Sequence, residues 1–185
     1  MDFSCFILLC LAHVMMANNL SLFLELIERT NTYLRFRVAF QSHAPTKLFF
    51  PSPNITSLRF WSAANGQEAQ GYTAGLLSSS GGGFTLDPGS AQAFHWRVRP
   101  RNVGEPTRPE EVDDEGFDYW RWSVDIGFGE YQVQYHFAVQ RDYFDPDSHM
   151  RLPQLERIAQ AQEAALWLGQ AESNSLIVIS DGRDA

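Results

Sequence analysis

The sequence predicts an all-β protein, an antiparallel sandwich of about seven strands with one short helix before the last strand. Three observations predict this class. Apolar and polar residues alternate over 20–28 and again over 33–41, which is the period of a strand with one buried face. The stretch 119–139 has the same period and is rich in aromatic residues. Each ring buries roughly 150–250 Å² when covered, so a second layer is expected over this stretch.

The first two strands are expected to form an antiparallel pair. In 33–41 the apolar side chains are placed inward, and Arg35 and Arg37 outward. Helical spacing of three and four fits these segments less well than period two. A later strand has the same form, with Trp96 inward and His95 on the opposite face.

Turn residues divide the middle of the chain. Two prolines within 51–53 follow the apolar segment 48–50 and predict an edge strand or a crossing between sheets. Asn65-Gly66 is typical of a type I′ hairpin turn. In 87–89, proline presets φ and the following glycine accepts a positive φ, which predicts another turn.

The stretch 119–139 predicts a β-hairpin with one heavy apolar face, turning at Gly127-Phe128-Gly129. Its inward residues are Trp120, Trp122, Val124 and Ile126 in the first arm, and Tyr131, Val133, Tyr135, Phe137 and Val139 in the second. Further on, apolar residues at helical spacing predict a helix over 154–167. The near-continuous apolar run within 174–180 predicts a closing strand buried between neighbours.

Residues 1–17 are predicted to stand apart from a single domain that comprises 18–185. They are apolar enough for a signal-peptide core, but they carry Asp2 where basic residues are expected. We therefore expect translation to begin at Met15 or Met16 and the protein to be cytoplasmic. A cleaved signal peptide and a secreted protein are the alternative.

The composition disfavours a nucleic-acid partner, a disulfide framework and a membrane span in the predicted domain. The formal net charge is −8 at pH 7, which disfavours a phosphate-binding surface, so nucleic acid is not an expected partner. Cys5 and Cys10 both precede the predicted domain, which leaves that domain without a disulfide framework. The domain contains no apolar segment long enough for a membrane span, and no cofactor is expected.

The middle of the chain carries the short motifs FFPSPNITSLRFW with Asn65-Gly66, then LDPGS, FHW and GEY. These motifs resemble those of bacterial immunoglobulin-like sandwiches. Their order is similar to that of the BsuPI-like intracellular proteinase inhibitor family, over about 34–137. The resemblance implies an immunoglobulin-like sandwich in which Tyr131 bonds back to the preceding connection, and it suggests protease inhibition. The segment 100–118, the helix and the last strand depart from the family pattern.

Four potential metal ligands follow the aromatic stretch, namely Asp142, Asp145, Asp147 and His149. Alternate residues of a loop can converge on one cation, so Asp145, Asp147 and His149 are a candidate metal site. The spacing lacks the glycine and the distal glutamate of an EF-hand. Asp145 and Asp147 around Pro146 are equally expected of a turn that caps the following segment, and this alternative stays open.

The segment 100–118 is too polar for the core and is predicted to be a loop. Its acidic residues could bind cations or a basic partner, although such runs are commonly only solvated. Among the aromatic residues, Trp61 and Tyr119 are expected at the surface, where rings stack on peptides or sugars. The candidate binding residues are therefore Trp61, Glu110, Glu111, Asp113, Asp114 and Tyr119.

Catalytic machinery is not predicted. A hydrolase needs a nucleophile, a base and an orienting acid within mutual reach. The domain has no cysteine, its serines lack a G-x-S-x-G elbow, and its histidines are scattered. We therefore expect a non-enzymatic binding module with a protein partner. The alternatives are an intracellular proteinase inhibitor that presents 51–55 or 100–118, and a carbohydrate or small-ligand binder. The oligomeric state is left open.

Overall fold

The predicted fold class is confirmed: the residues that the structure describes form an all-β sandwich with one short helix. The computed structural model describes residues 19–30, 33–54, 57–69, 72–74, 83–101, 121–126, 129–144 and 149–180. Its strands are β1 (Leu20–Arg29), β2 (Leu34–Ser42), β3 (Leu48–Phe50), β4 (Leu58–Ser62), β5 (Tyr72–Ala74), β6 (Phe84–Leu86), β7 (Ala91–Arg101), β8 (Arg121–Asp125), β9 (Gly129–Val139), β10 (Ala165–Leu166), β11 (Gly169–Glu172) and β12 (Leu176–Ser180), and its helix is α1 (Leu152–Ala161).

One layer is a five-stranded sheet in the order β1-β2-β7-β8-β5. β1 and β2 form the predicted antiparallel pair, in which Leu24 lies opposite Val38. A bulge between Leu26 and Glu28 shifts the register by one residue. Buried and more exposed residues alternate along both strands, so the predicted faces are confirmed.

The second layer is built around β9, which pairs antiparallel with β4, β11 and β12. β11 and β12 lie on the same edge of β9, because Ser173 between them contacts the backbone of Tyr135. The Ser173 N–H donates to the Tyr135 carbonyl at 2.9 Å, and the Ser173 Oγ accepts from the Tyr135 N–H at 2.9 Å. β11 and β12 are therefore one strand interrupted at Ser173.

Asn174 ties the two layers together at one edge. Its Oδ1 accepts a hydrogen bond from the Leu24 N–H at 2.8 Å, and its Nδ2 donates to the Leu24 carbonyl at 3.0 Å. Both backbone groups point away from β2, so the side chain of Asn174 occupies the outer edge of β1 at this position.

A three-stranded sheet in the order β10-β3-β6 completes the strands. Leu155 and Ala159 of α1 pack against Phe49 of β3. Before β6, Gly83 has a φ of 139°, and a Cβ added there would lie 2.2 Å from the carbonyl oxygen of Phe50. Only glycine fits this approach of the two backbones.

The predicted hairpin over 119–139 is wrong. β8 pairs with β5 and, in parallel, with β7, whereas the edges of β9 are occupied by β4 and by β11 with β12. The chain therefore crosses between the layers after Ile126. Alternation specifies which face of a strand is buried but not which strand lies beside it. The face is confirmed where the structure describes it, since the buried residues are Ile126, Tyr131, Val133, Tyr135, Phe137 and Val139. Trp120 and the side chain of Trp122 lie outside the described residues.

The helix is shorter than predicted. α1 ends at Ala161 instead of continuing to 167. Glu163 has a φ of 54°, which is incompatible with a continued helix. The Trp167 N–H then donates to the Phe49 carbonyl at 2.9 Å, and the Trp167 ring is buried. Pairing with β3 places this large ring in the core. The free energy gained by burying the ring outweighs the helical preference of the preceding residues.

The last strand is not buried between neighbours, contrary to the prediction. Within the part of the chain that the structure describes, β12 pairs with β9 alone. Val178 is buried, but Ile177 is 61% exposed and Ile179 is 49% exposed. An edge strand with one solvated face exposes every second residue, even when the sequence is apolar throughout.

Aromatic side chains join the two layers in the core. Phe36 meets Phe60 at a ring-centroid distance of 5.9 Å, and Trp96 stacks on Tyr135 at 5.2 Å. Phe40, which has no exposed surface, lies at the centre of a further aromatic cluster. The inner faces are thus covered by one another, and the outward faces of the layers point in opposite directions.

Candidate functional site

The outward face of β4, β9 and β12 exposes an apolar strip. Trp61 and Ile177 both lie beside Gln132, one on each edge of β9. Ile179 lies beside Glu130 in the next outward row. We refer to these five residues as the isoleucine face. Trp61 is half-buried and the two isoleucines are exposed. This side of the layer therefore presents both apolar and polar residues to the solvent.

Two ion pairs border the isoleucine face on the side of Trp61. Arg59 Nε lies 3.7 Å from Glu68 Oε1, and His136 Nδ1 lies 3.3 Å from Glu172 Oε1. The His136 ring is 5.5 Å from the ring of Trp61. An apolar centre within a polar rim is the usual anatomy of a surface that binds another protein.

The outward face of the first sheet has different chemistry. Its residues pair in three rows across β1, β2 and β7. The rows are Phe23, Ala39 and Ala93, then Glu25, Arg37 and His95, then Glu28 and Arg35. We refer to these eight residues as the arginine face. Arg97 and then Arg121 continue the third row in register on β7 and β8.

Two ion pairs cross the arginine face. Arg37 contacts Glu25 at 2.5 Å, and Arg35 lies 3.7 Å from Glu28. The pKa of His95 is lowered, first by partial desolvation and then by the positive charges of Arg35 and Arg37.

The lowered pKa of His95 predicts a loss of stability as the pH falls below about 6.5, the ordinary pKa of histidine. In this range the unfolded chain binds more protons than the folded protein, so protonation favours unfolding. The loss is complete once the pH is below the folded pKa. We expect Arg37→Gln to raise the pKa of His95 in an NMR titration of the imidazole protons. Arg59→Gln, on the other layer, should leave it unchanged; equal effects of the two variants would contradict this assignment.

The predicted binding residues are only partly described. Trp61 lies on an outward face, and its role in binding stays a prediction. Tyr119 and the acidic residues Glu110, Glu111, Asp113 and Asp114 lie outside the described residues.

The predicted metal site is also only partly described, since Asp145 and Asp147 lie outside the described residues. His149 is exposed, has a φ of 55° and places its ring 5.9 Å from the ring of Phe144. Among the described residues, no three His, Cys, Asp or Glu side chains are grouped closely enough to hold a metal ion.

The resemblance suggests the segment 51–55 as a protease contact. The described residues of this segment pack against the rest of the protein. Pro51 and Asn54 are buried. The hydroxyl of Tyr135 donates to the Asn54 carbonyl at 3.1 Å. Ser52 and Pro53 are half-buried, so this part of the connection offers little surface to a protease.

Ser21 and His43 form a contact that the sequence did not reveal. The Ser21 Oγ lies 2.8 Å from His43 Nε2 on the exposed surface. A serine activated by histidine needs an acid that orients the imidazole and donors that stabilise an oxyanion. No carboxylate forms an ion pair with His43 among the described residues. The pair is chemically an ordinary surface hydrogen bond.

The most exposed apolar residues of the isoleucine face were missed by sequence reasoning. Ile177 and Ile179 lie in a run whose sequence suggests full burial, but both side chains lie on the solvent-exposed side of β12. The arginine face could be found in part, because alternation correctly places Arg35, Arg37 and His95 outward.

Among the described residues, no helix has the length and apolar character required to cross a membrane. No protein-family model matches the chain, and neither a curated protein nor a solved structure matches it.

Proposed function

We propose that the protein is a non-enzymatic interaction module that binds a partner protein through the isoleucine face. The observation that carries this proposal is the exposure of Ile177 and Ile179 on one side of β12. Fully burying an aliphatic side chain of this size contributes about 1.5–3 kcal/mol. A partner that covers both isoleucines would therefore gain a useful part of its binding free energy from two residues.

The position of β12 adds a second way to bind. Among the described strands β12 is hydrogen-bonded to β9 alone, and part of β12 lies close to β1. An extended segment would pair with the remaining backbone groups on the free edge of β12. Backbone pairing would supply affinity, and the isoleucines would select the apolar residues of the partner. The neighbouring ring of Trp61 extends the apolar area across Gln132.

The non-enzymatic part of the proposal is supported by the surroundings of the histidines. His43 contacts Ser21 without an ion-paired acid among the described residues, and His136 is paired with Glu172 beside a tryptophan. Neither arrangement supplies the nucleophile, base and oxyanion donors that acyl transfer requires. The immunoglobulin-like character of the sandwich and a cytoplasmic location are part of the same proposal.

The test is quantitative affinity capture from an extract of the source cell. The immobilised proteins would be the wild type, a double variant Ile177→Ser with Ile179→Ser, and the control Phe144→Ser. Phe144 is 48% exposed and belongs to neither the isoleucine face nor the arginine face, so the control removes an exposed apolar side chain from a different surface. Circular dichroism would show that each variant is folded.

We expect a defined set of proteins to bind the wild type and the Phe144→Ser variant but not the double isoleucine variant. A purified member of this set should bind the double variant about tenfold or more weakly, which corresponds to about 1.4 kcal/mol. If the double variant and the wild type retain the same proteins equally, the isoleucine face is not the binding surface.

A further inference from the structure

We infer that the arginine face is a second binding surface, which takes an acidic peptide segment carrying one apolar residue. This surface lies on the opposite layer from the isoleucine face and would serve a different partner. The inference starts from the uneven distribution of charge between the strands of the two layers.

The first sheet is positively charged although the whole chain is acidic. Of 14 Lys and Arg residues, seven lie in its strands: Arg29, Arg35, Arg37, Arg97, Arg99, Arg101 and Arg121. Three carboxylates lie in the same strands, Glu25, Glu28 and Asp125, which leaves a balance of four positive charges. The chain as a whole carries −8, so the strands of this sheet hold an excess of positively charged residues that contrasts with the whole chain.

An apolar row borders the charged rows. Phe23 lies in register with Ala39, and Ala39 with Ala93. The ring of Phe23 is 51% exposed, and the two alanines beside it are half-buried and too small to cover it. They leave space beside Phe23 in which an apolar side chain of a partner can pack on the phenylalanine ring.

The spacing of the rows fits an extended peptide. Successive rows are two residues apart along β2, which is about 6.8 Å. Alternate side chains of an extended peptide have the same spacing. An apolar residue on the first row would therefore place acidic residues two and four positions later near Arg37 and Arg35. Guanidinium groups bind carboxylates with two parallel hydrogen bonds when the geometry allows it.

The peptide is expected to lie on the face and not to add to the edge of the sheet. At Leu24 the outer edge of β1 is already hydrogen-bonded to the side chain of Asn174. Nucleic acid fits less well than a short peptide, because a long polyanion is repelled by the remaining negative charge of the chain. Its phosphates would also make no use of the row at Phe23.

The test measures fluorescence anisotropy of a labelled peptide, Leu-Ser-Glu-Ser-Glu-Ser-Glu, titrated with the full chain. Two control peptides replace every Glu by Gln or the Leu by Ser, and a labelled oligothymidylate of twenty nucleotides represents nucleic acid. The protein variants are Arg37→Gln and Phe23→Ser. Arg59→Gln is the matched control, because Arg59 is an ion-paired arginine on the other layer.

We expect saturable binding of the acidic peptide, weakened by added salt and about tenfold or more weaker for each control peptide. Arg37→Gln and Phe23→Ser should weaken it by a similar factor, while Arg59→Gln should not. The inference is overturned if the wild type does not distinguish the three peptides, if oligothymidylate binds at least as tightly, or if Arg59→Gln is as damaging as Arg37→Gln. The peptide and salt comparisons use only the wild type, so they decide the question even if a variant fails to fold.

Discussion

Phe40→Ala is expected to lower the free energy of unfolding by about 3–5 kcal/mol, the range for deleting a buried aromatic ring. Phe40 has no exposed surface. Its ring makes edge-to-face contacts, at centroid distances of 5.2–6.2 Å, with Phe50, Phe84, Phe94, Tyr135 and Phe137. These partners belong to four strands, so the cavity left by the alanine would be lined from both layers and could not collapse without moving them.

Urea denaturation followed by circular dichroism would measure the change. The control is Phe23→Ala, which removes the same atoms from an exposed position of the neighbouring strand β1, and it should cost less than about 1 kcal/mol. Since a domain is stable by only about 5–15 kcal/mol, Phe40→Ala can unfold much of the population. A cost below about 1 kcal/mol for Phe40→Ala would show that the aromatic cluster is not the centre of the core.

Trp167→Ala is expected to have a similar effect, again about 3–5 kcal/mol. The Trp167 ring is 1% exposed and lies 5.8 Å from the ring of Phe50 and 5.5 Å from that of Phe137. Gly169 leaves room for it, because a Cβ on that glycine would be 2.9 Å from the indole. Without the ring, the chain would no longer gain the free energy of burying an indole when it leaves the helical conformation after α1.

The neighbouring Leu168 provides the control for Trp167. It is 37% exposed, and Leu168→Ala should change the free energy of unfolding by less than about 1 kcal/mol. Trp167→Phe should cost less than Trp167→Ala, because it keeps an aromatic ring and removes a buried Nε1 that has no hydrogen-bond partner among the described residues. Equal costs for Trp167→Ala and Leu168→Ala would contradict the placement of the indole in the core.

The faces of the strands could be predicted from the sequence because they depend on local alternation. In β2 the buried residues Phe36 and Phe40 alternate with the more exposed Arg37 and Ala39, and β9 follows the same rule from Tyr131 onward. The turn at 87–89 was also predictable, whereas Asn65 lacks the positive φ that the predicted type I′ turn at Asn65-Gly66 requires. Gly89 has a φ of 72°, as the second central residue of the expected turn requires.

The neighbours of the strands could not be predicted, because pairing is a property of the whole fold. β8 and β9 are close in sequence and share an aromatic alternation, yet β8 pairs in parallel with β7. The end of α1 was missed for the same reason. Ala165 and Leu166 continue the helical spacing, but their backbones pair with β3, and this depends on a strand more than a hundred residues earlier.

The candidate surfaces were predictable only where they depend on which side of a strand each residue occupies. Arg37 and His95 were placed outward, and their side-by-side position came from the register of β2 and β7. The isoleucine face was not predicted, since the apolar run of β12 is compatible with burial on both sides. Ile177 and Ile179 are exposed because they lie on the outward side of β12, opposite to the buried Val178.

Amide hydrogen exchange of the complex with a captured partner tests the isoleucine face most directly. Exchange at an edge strand is fast while its backbone groups face water, and it slows when a partner covers or pairs with the strand. We predict that the partner slows exchange in β12, at Ile177 and Ile179 above all, and in β4 around Trp61, while β2 is unchanged. Protection confined to β2 and β7, with β12 exchanging as fast as in the free protein, would contradict the account.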